Sequence, residues 1–266
     1  MIEWKHVSCE LDEGPAPLAA IGLIALASDI VCELELRAFL PRQGVGLYAN
    51  RIPMPPHATL ETLHGMGHSM DKAITGIVPD DHLDVVAYGC TAASTVLGSA
   101  FLADKVHTIR GKETGYSDPF LAGLMGLQTL GCRRIALLTP YSDEVNDVVA
   151  AKFATHGVEI VRGTTFNRRG DPDMSRVPPV AIRDAAIEIG RDSPVEAVFI
   201  SCTALRVSGV LEEIEAAINK PLVSSNQAMA WHCLRLAGDR QLLPDRGRLF
   251  RLAPFDLREK TLIELR

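Results

Sequence analysis

At 266 residues, with 47% hydrophobic and 23% charged side chains, the chain has an ordinary globular composition and enough length for one large domain or two smaller ones. Its net charge of −6 argues against a nucleic-acid partner, which needs a basic face, and no run approaches the ~20 apolar residues that span a bilayer. The opening MIEWKHVSCELDEG has neither the basic start nor the apolar stretch of a signal peptide, so the expected location is the cytoplasm.

Short apolar runs alternate with longer amphipathic stretches, the pattern of parallel α/β architecture. Residues 20–27 (AIGLIALA) read as a buried strand and 29–39 as a helix stopped at Pro41. A second strand is expected over 45–51, a helix over 57–77 ended by Val78-Pro79, and a third strand over 83–89 running into Cys90. A fourth strand is expected over 105–110, followed by a helix over 119–130 that Gly131 closes. The order then recurs: strand 134–139, helix 143–155 closed at Gly157, strand 158–162, helix 180–190, and strand 195–201 ending on Cys202. A last strand over 221–224 leads to a helix over 227–236, closed by Gly238.

The offset between the two blocks is nearly constant, 114 residues for the first strands and 112 for Cys90 and Cys202. Two matching units of this size indicate a duplicated half-domain rather than a solenoid. The fold expected is α/β with two pseudo-symmetric lobes, each a parallel sheet flanked by helices. Lobe one comprises 1–116 plus 226–266 and carries Cys90; lobe two comprises 117–225 and carries Cys202. Ligands of such sheets collect outside the carboxyl ends of the strands, so lobes with those ends facing each other enclose the active site in a cleft.

Six cysteines lie at 9, 32, 90, 132, 202 and 233, with no CxxC pair, in a chain too large and apolar to need disulfide staples. Four read as structural thiols. Cys90 and Cys202 differ: each is followed by threonine where an apolar strand ends and a helix should begin. Free N–H groups and the positive end of a helix dipole at such a place lower a thiol pKa. The same N–H groups, with Thr91 and Thr203, can cradle a carboxylate or an enolate. A single strand-end cysteine is most often a packed core residue, but two at equivalent points of a repeat point to function. Between two thiols a substrate can lose a proton to one and regain it from the other, or add covalently to one while the other supplies the proton.

The first strand of each block ends in a matching turn, 27–29 and 140–142. Ser28 and Asp29 should line the cleft or cap the following helix, and Tyr141 is placed to hydrogen-bond a substrate carboxylate. His64 and His68 lie one helical turn apart but lack further ligands, so no metal site is expected. No GxGxxG, Walker A or G-x-S-x-G motif is present.

At these residues the sequence resembles the aspartate/glutamate racemase superfamily, and within it the maleate cis–trans isomerase and arylmalonate decarboxylase branch. The segments are GCTAAS (89–94), LTPYSDEVN (138–146) and SCTALR (201–206), after a first strand ending near Ser28-Asp29. The likeness covers residues 18–237. Through IGLIALASD, GVGLYANRIPM, FISCTALR and VSSNQAMAWHCLRL it is similar to racemase-like proteins encoded with ectoine-utilisation genes. The resemblance implies no cofactor, a homodimer, a small carboxylate substrate and a catalytic cysteine pair in the cleft. It assigns Cys90 and Cys202 to catalysis and Thr91, Tyr141 and Thr203 to substrate binding, with Ser28 and Asp29 beside them.

Three departures from that branch bear on the substrate. Asp29 stands where maleate isomerases carry asparagine, and Ala92 where many relatives have serine. The segment around Asp171 reads GDPD where the isomerases offer another asparagine. A carboxylate at 29 repels a second substrate carboxylate, which favours an amino acid derivative over maleate. Arylmalonate decarboxylases need only the second cysteine, so Cys90 favours a racemase or cis–trans isomerase. The alternatives are a lyase or decarboxylase using the same cleft, and a carboxylate-binding protein without chemistry.

Overall fold

The computed structural model describes residues 2–55, 59–79, 81–168 and 170–252. In the first half β1 (Ala19–Leu26), α1 (Cys32–Phe39) and β2 (Val45–Ile52) are followed by α2 (Leu60–Gly65), a 3-10 turn over Met66–Ser69 and α3 (Met70–Thr75). Then come β3 (Val85–Tyr88), α4 (Thr91–Leu97), α5 (Ser99–Arg110), β4 (Gly115–Ser117) and α6 (Pro119–Thr129). The second half contains β5 (Arg134–Thr139), α7 (Asp143–Thr155), β6 (Glu159–Thr165), α8 (Asp171–Met174), α9 (Pro179–Gly190), β7 (Ala197–Ile200), α10 (Leu211–Ile218), β8 (Leu222–Ser224) and α11 (Ser225–Leu236).

Both sheets are wholly parallel and share one order, β2-β1-β3-β4 and β6-β5-β7-β8. The registers match as well. Ile24 pairs with Tyr88 at the end of β3, and Leu138 pairs with Ile200 at the end of β7. Each of these strand ends lies two residues before its cysteine. The central strands are almost wholly buried, with only Arg134 at the start of β5 exposed, because helices cover both faces, whereas β2 and β6, at one edge of each sheet, carry several exposed positions. The opposite edges are covered by exchanged helices: α6 packs on β8, and α11 packs on β3, β4, α1 and α6. The two sheets are thereby tied together beside their carboxyl ends.

Three local expectations fail. Residues 105–110 are not a strand but the end of α5. Val106 and Ile109 are three apart, the spacing of a helix face, and Leu102, Ala103 and Val106 are its buried stripe. The true strand β4 has only three residues, too few to leave a periodic signal. The helix expected over 57–77 is broken at the 3-10 turn, which contains Gly67 and follows Gly65; its first residues, 57–58, lie outside the described residues. Finally α10 begins well after Cys202, in a stretch read as continuous with the cysteine turn.

Candidate active site

The first thiol is set by β3. Gly89 crosses so close to α1 that a Cβ there would lie 3.1 Å from Cys32 Sγ and 3.4 Å from the Ile24 carbonyl. A side chain there would crowd that approach and push the neighbours apart by a few tenths of an ångström. Cys90 follows in extended geometry (φ −146°, ψ 108°) as the N-cap of α4, its Sγ accepting the Ala93 N–H at 3.4 Å. This is the strand-to-helix setting the sequence predicts.

The second thiol breaks the symmetry. Cys202 has φ 126°, a region that residues bearing a Cβ rarely occupy and that costs of order 1–3 kcal/mol. Its Sγ accepts the Ala204 N–H at 3.4 Å, but no helix follows. The expected helix N-terminus at Cys202 is therefore corrected to a turn. The reason is tertiary: α11 holds the turn's backbone from outside. Ser225 Oγ accepts the Cys202 N–H at 3.0 Å and Asn226 Nδ2 donates to the Thr203 carbonyl at 2.9 Å.

The same contacts join the two strand ends. The Ser225 and Thr91 hydroxyls are 2.9 Å apart, so one side chain connects both Cys-Thr pairs. The Thr203 hydroxyl donates to Asp29 Oδ2 at 2.9 Å and lies 3.2 Å from the Gly89 carbonyl. Asp29 Oδ1 accepts the N–H groups of Val31 and Cys32 at 2.7 and 2.9 Å, so the residue both organises the start of α1 and meets the opposite lobe. Ser28 Oγ donates to Asp171 Oδ2 at 2.5 Å, and the Ser201 hydroxyl approaches the buried Tyr141 hydroxyl at 3.4 Å. The residues singled out from sequence thus gather at one place, with the hydroxyls of Thr91 and Thr203 already engaged by protein.

Electrostatics overturn one expectation. Both thiols are only 6% exposed, and burial pushes Cys90 up to about 12 and Cys202 well above the ordinary thiol value. The negative charges of Asp171 and Asp29 add to the rise at both. A backbone N–H and a tyrosine hydroxyl oppose it at each: Ala93 and Tyr88 at Cys90, Ala204 and Tyr141 at Cys202. The two turns of α4 are too little to outweigh burial, so the resting thiols are neutral. Asp171 is also raised, by burial and then by Asp29, against the Ser28 hydrogen bond.

Four contributors were missed. Tyr88 carries the hydroxyl beside Cys90, and Ser225 makes the bridge; Tyr88 reads as strand core, and Ser225 falls between the expected strand and helix. Cys32, read as structural, lies close enough for the charges of both thiols to weigh on it. Asp171 appeared only as a loosely matched position. The sole sequence signal for it is an acidic pair, Asp171 and Asp173, beside prolines. His64 and His68 are not part of a metal cluster: among the described residues no group of three or more His, Cys, Asp or Glu could hold an ion. All six cysteines are free thiols, and no described helix is long and apolar enough to cross a membrane.

Two parallel α/β lobes of matching topology, with a cysteine at the end of each third strand, define a protein of the aspartate/glutamate racemase-like class. The chain belongs to the arylmalonate decarboxylase family, whose model matches residues 80–250. It is 32% identical over 170 residues to arylmalonate decarboxylase of Bordetella bronchiseptica, covering 62% of this chain and 70% of that one. It is 26% identical over 241 residues to maleate isomerase of Nocardia farcinica, covering 87% and 95%. Among solved structures, a mutant of the Nocardia farcinica maleate cis–trans isomerase with a covalently bound succinylcysteine intermediate superposes with a TM-score of 0.78 at 23% identity. That match covers 88% of this chain and 98% of the other.

Proposed function

We propose that the protein is a cofactor-independent isomerase, a racemase or cis–trans isomerase, of a small carboxylate or amino acid derivative, with Cys90 and Cys202 as its catalytic pair. The observation that carries this reading is the single buried site in which two thiols, 112 residues apart, are joined through Ser225, Thr91 and Thr203. One thiolate takes the proton from a carbon next to a carboxylate, and the other thiol returns a proton to the opposite face. In the cis–trans version a thiolate adds to the double bond, the carbanion is protonated by the second thiol, the new single bond rotates, and loss of the proton and sulfur restores the alkene. A succinylcysteine adduct in a maleate isomerase relative supports the additive route as family chemistry.

Because burial and a carboxylate substrate both disfavour a thiolate, either route needs donors that stabilise the sulfur anion. The Tyr88 and Tyr141 hydroxyls and the Ala93 and Ala204 N–H groups then hold the sulfur anion. Ser28, Asp29, Thr91, Tyr141 and Thr203 position the substrate, several through one another. The test is incubation in deuterated water with amino acids, N-acetylated diamino acids and dicarboxylates, followed by NMR. The last two panels cover the ectoine-linked and maleate-like possibilities. The absence of both deuterium incorporation and isomerisation across every panel would sink the proposal. The family's decarboxylase member motivates a second reading, for which carbon dioxide release from a substituted malonate is the deciding product.

A further inference from the structure

Asp171 opens α8 and is only 7% exposed; Ser28 occupies its Oδ2, while Oδ1 meets no donor among the described residues and keeps access to solvent. Buried carboxylates are almost always paired or hydrogen-bonded on both oxygens. Asp29 obeys that rule, with two backbone N–H groups on one oxygen and the Thr203 hydroxyl on the other. Both carboxyl groups weigh on both thiols, and only burial, Ser28 and Asp29 bear on Asp171, with no lysine or arginine to balance it. Among the described residues, the arginines nearest in sequence, Arg168 and Arg176, line another groove together with Phe166, Asp173 and Pro178. Arg176 is hydrogen-bonded to the Pro172 carbonyl.

We infer that Asp171 is the residue that selects the substrate: its free Oδ1 receives an ammonium group, so the site takes amino-bearing carboxylates in preference to dicarboxylates. The inference rests on the reading of the Cys90–Cys202 site as the substrate site. A dianion entering there would meet two buried carboxyl groups and no cation among the described residues, which is repulsion built into the site. An ammonium group completes the hydrogen bonding of Asp171 and offsets the negative charge that weighs on both thiols. The ligand that fits is then also the one that makes a thiolate easier to form.

The test uses the Cys90→Ala/Cys202→Ala double variant, so that binding is read without chemistry. 2-Aminobutyrate, butyrate and succinate share a four-carbon skeleton and differ in charge. Isothermal titration calorimetry should find 2-aminobutyrate bound at least about tenfold more tightly than either of the others. Adding Asp171→Asn should bring the three within about threefold. Succinate binding as tightly as 2-aminobutyrate, an unchanged preference with Asp171→Asn, or no binding by any of the three would overturn the inference. If the triple variant fails to fold, the ranking in the double variant decides alone. Loss of deuterium exchange in the intact protein with this ranking preserved would defeat the catalytic reading and spare this one; the converse result would do the opposite.

Discussion

Cys90 and Cys202 close equivalent strands of two sheets with the same order and register, but their backbones are opposite cases. Cys90 is a relaxed N-cap whose N–H donor comes from the helix it begins. Cys202 is held at φ 126° in a turn whose backbone is fastened by Ser225 and Asn226 of α11. Their tyrosines also differ in origin. Tyr88 precedes Cys90 on the same strand, whereas Tyr141 reaches Cys202 from the end of the neighbouring strand β5. Duplication therefore accounts for where the thiols are and not for how each is presented. Two different local solutions converge on one environment: a buried thiol with one N–H, one phenol and two nearby carboxyl groups.

The largest expected effect tests whether the thiols act as a pair. Cys90→Ala and Cys202→Ala should each lower kcat about 1,000-fold or more while leaving the circular dichroism spectrum unchanged. If either variant kept a tenth of the activity, the two sites would be unequal partners and the reaction would need only one thiol.

A second comparison concerns the exchanged helices. α6 covers β8 with apolar side chains, but α11 brings His232 against β4, where its Nδ1 meets the Ser117 hydroxyl at 2.9 Å. Burial pushes His232 down to about 4, against an unfolded value near 6.5. The unfolded chain gains this proton first on acidification. The stability contributed is therefore fully present above pH 6.5 and is lost as pH falls toward 4, by about 3 kcal/mol. Urea midpoints measured across that window should converge for wild type and His232→Gln at the acid end. The difference between the two isolates this group from Glu35, Asp118 and Glu215, whose raised values act in the other direction.

The backbone difference between the thiols predicts a reversal. Cys202→Gly relieves the positive φ and should be about 1 kcal/mol more stable than Cys202→Ala in urea unfolding. At the extended Cys90, glycine gains nothing of this kind and should be no more stable than alanine. Equal ranking at both positions would show that the turn at Cys202 carries no strain.

The smallest effects concern the phenols. Tyr88→Phe should slow iodoacetamide alkylation of Cys90, and Tyr141→Phe that of Cys202, each by roughly three- to tenfold, because a hydrogen bond to the thiolate is lost. In wild type the Cys90 rate should climb about tenfold per pH unit between pH 7 and 10, consistent with a pKa of about 12. A plateau below pH 9 would mean that the Tyr88 and Ala93 donors outweigh burial.

The parallel α/β class, the repeat and the cysteine pair were legible because each rests on a pattern local to the chain: apolar runs of fixed spacing, and a Cys-Thr pair ending two of them. The errors came where short-range pattern was ambiguous. Residues 105–110 are a short apolar-polar run whose apolar Val106 and Ile109 are in fact at helical spacing, and three-residue β4 has no period to detect. Ser225 and Asp171 escaped for a different reason. Their roles depend on contacts across sequence separations such as the 134 residues between Thr91 and Ser225 and the 143 between Ser28 and Asp171.

By itself, then, the sequence determined the two-lobed parallel framework and the two thiols, since hydrophobic periodicity and strand-end position are carried by neighbouring residues. Only the tertiary structure decided the ionisation state of those thiols and the charge of the pocket around them. Both follow from burial and from carboxyl groups contributed by distant segments, and desolvation exists only once the lobes have closed on each other.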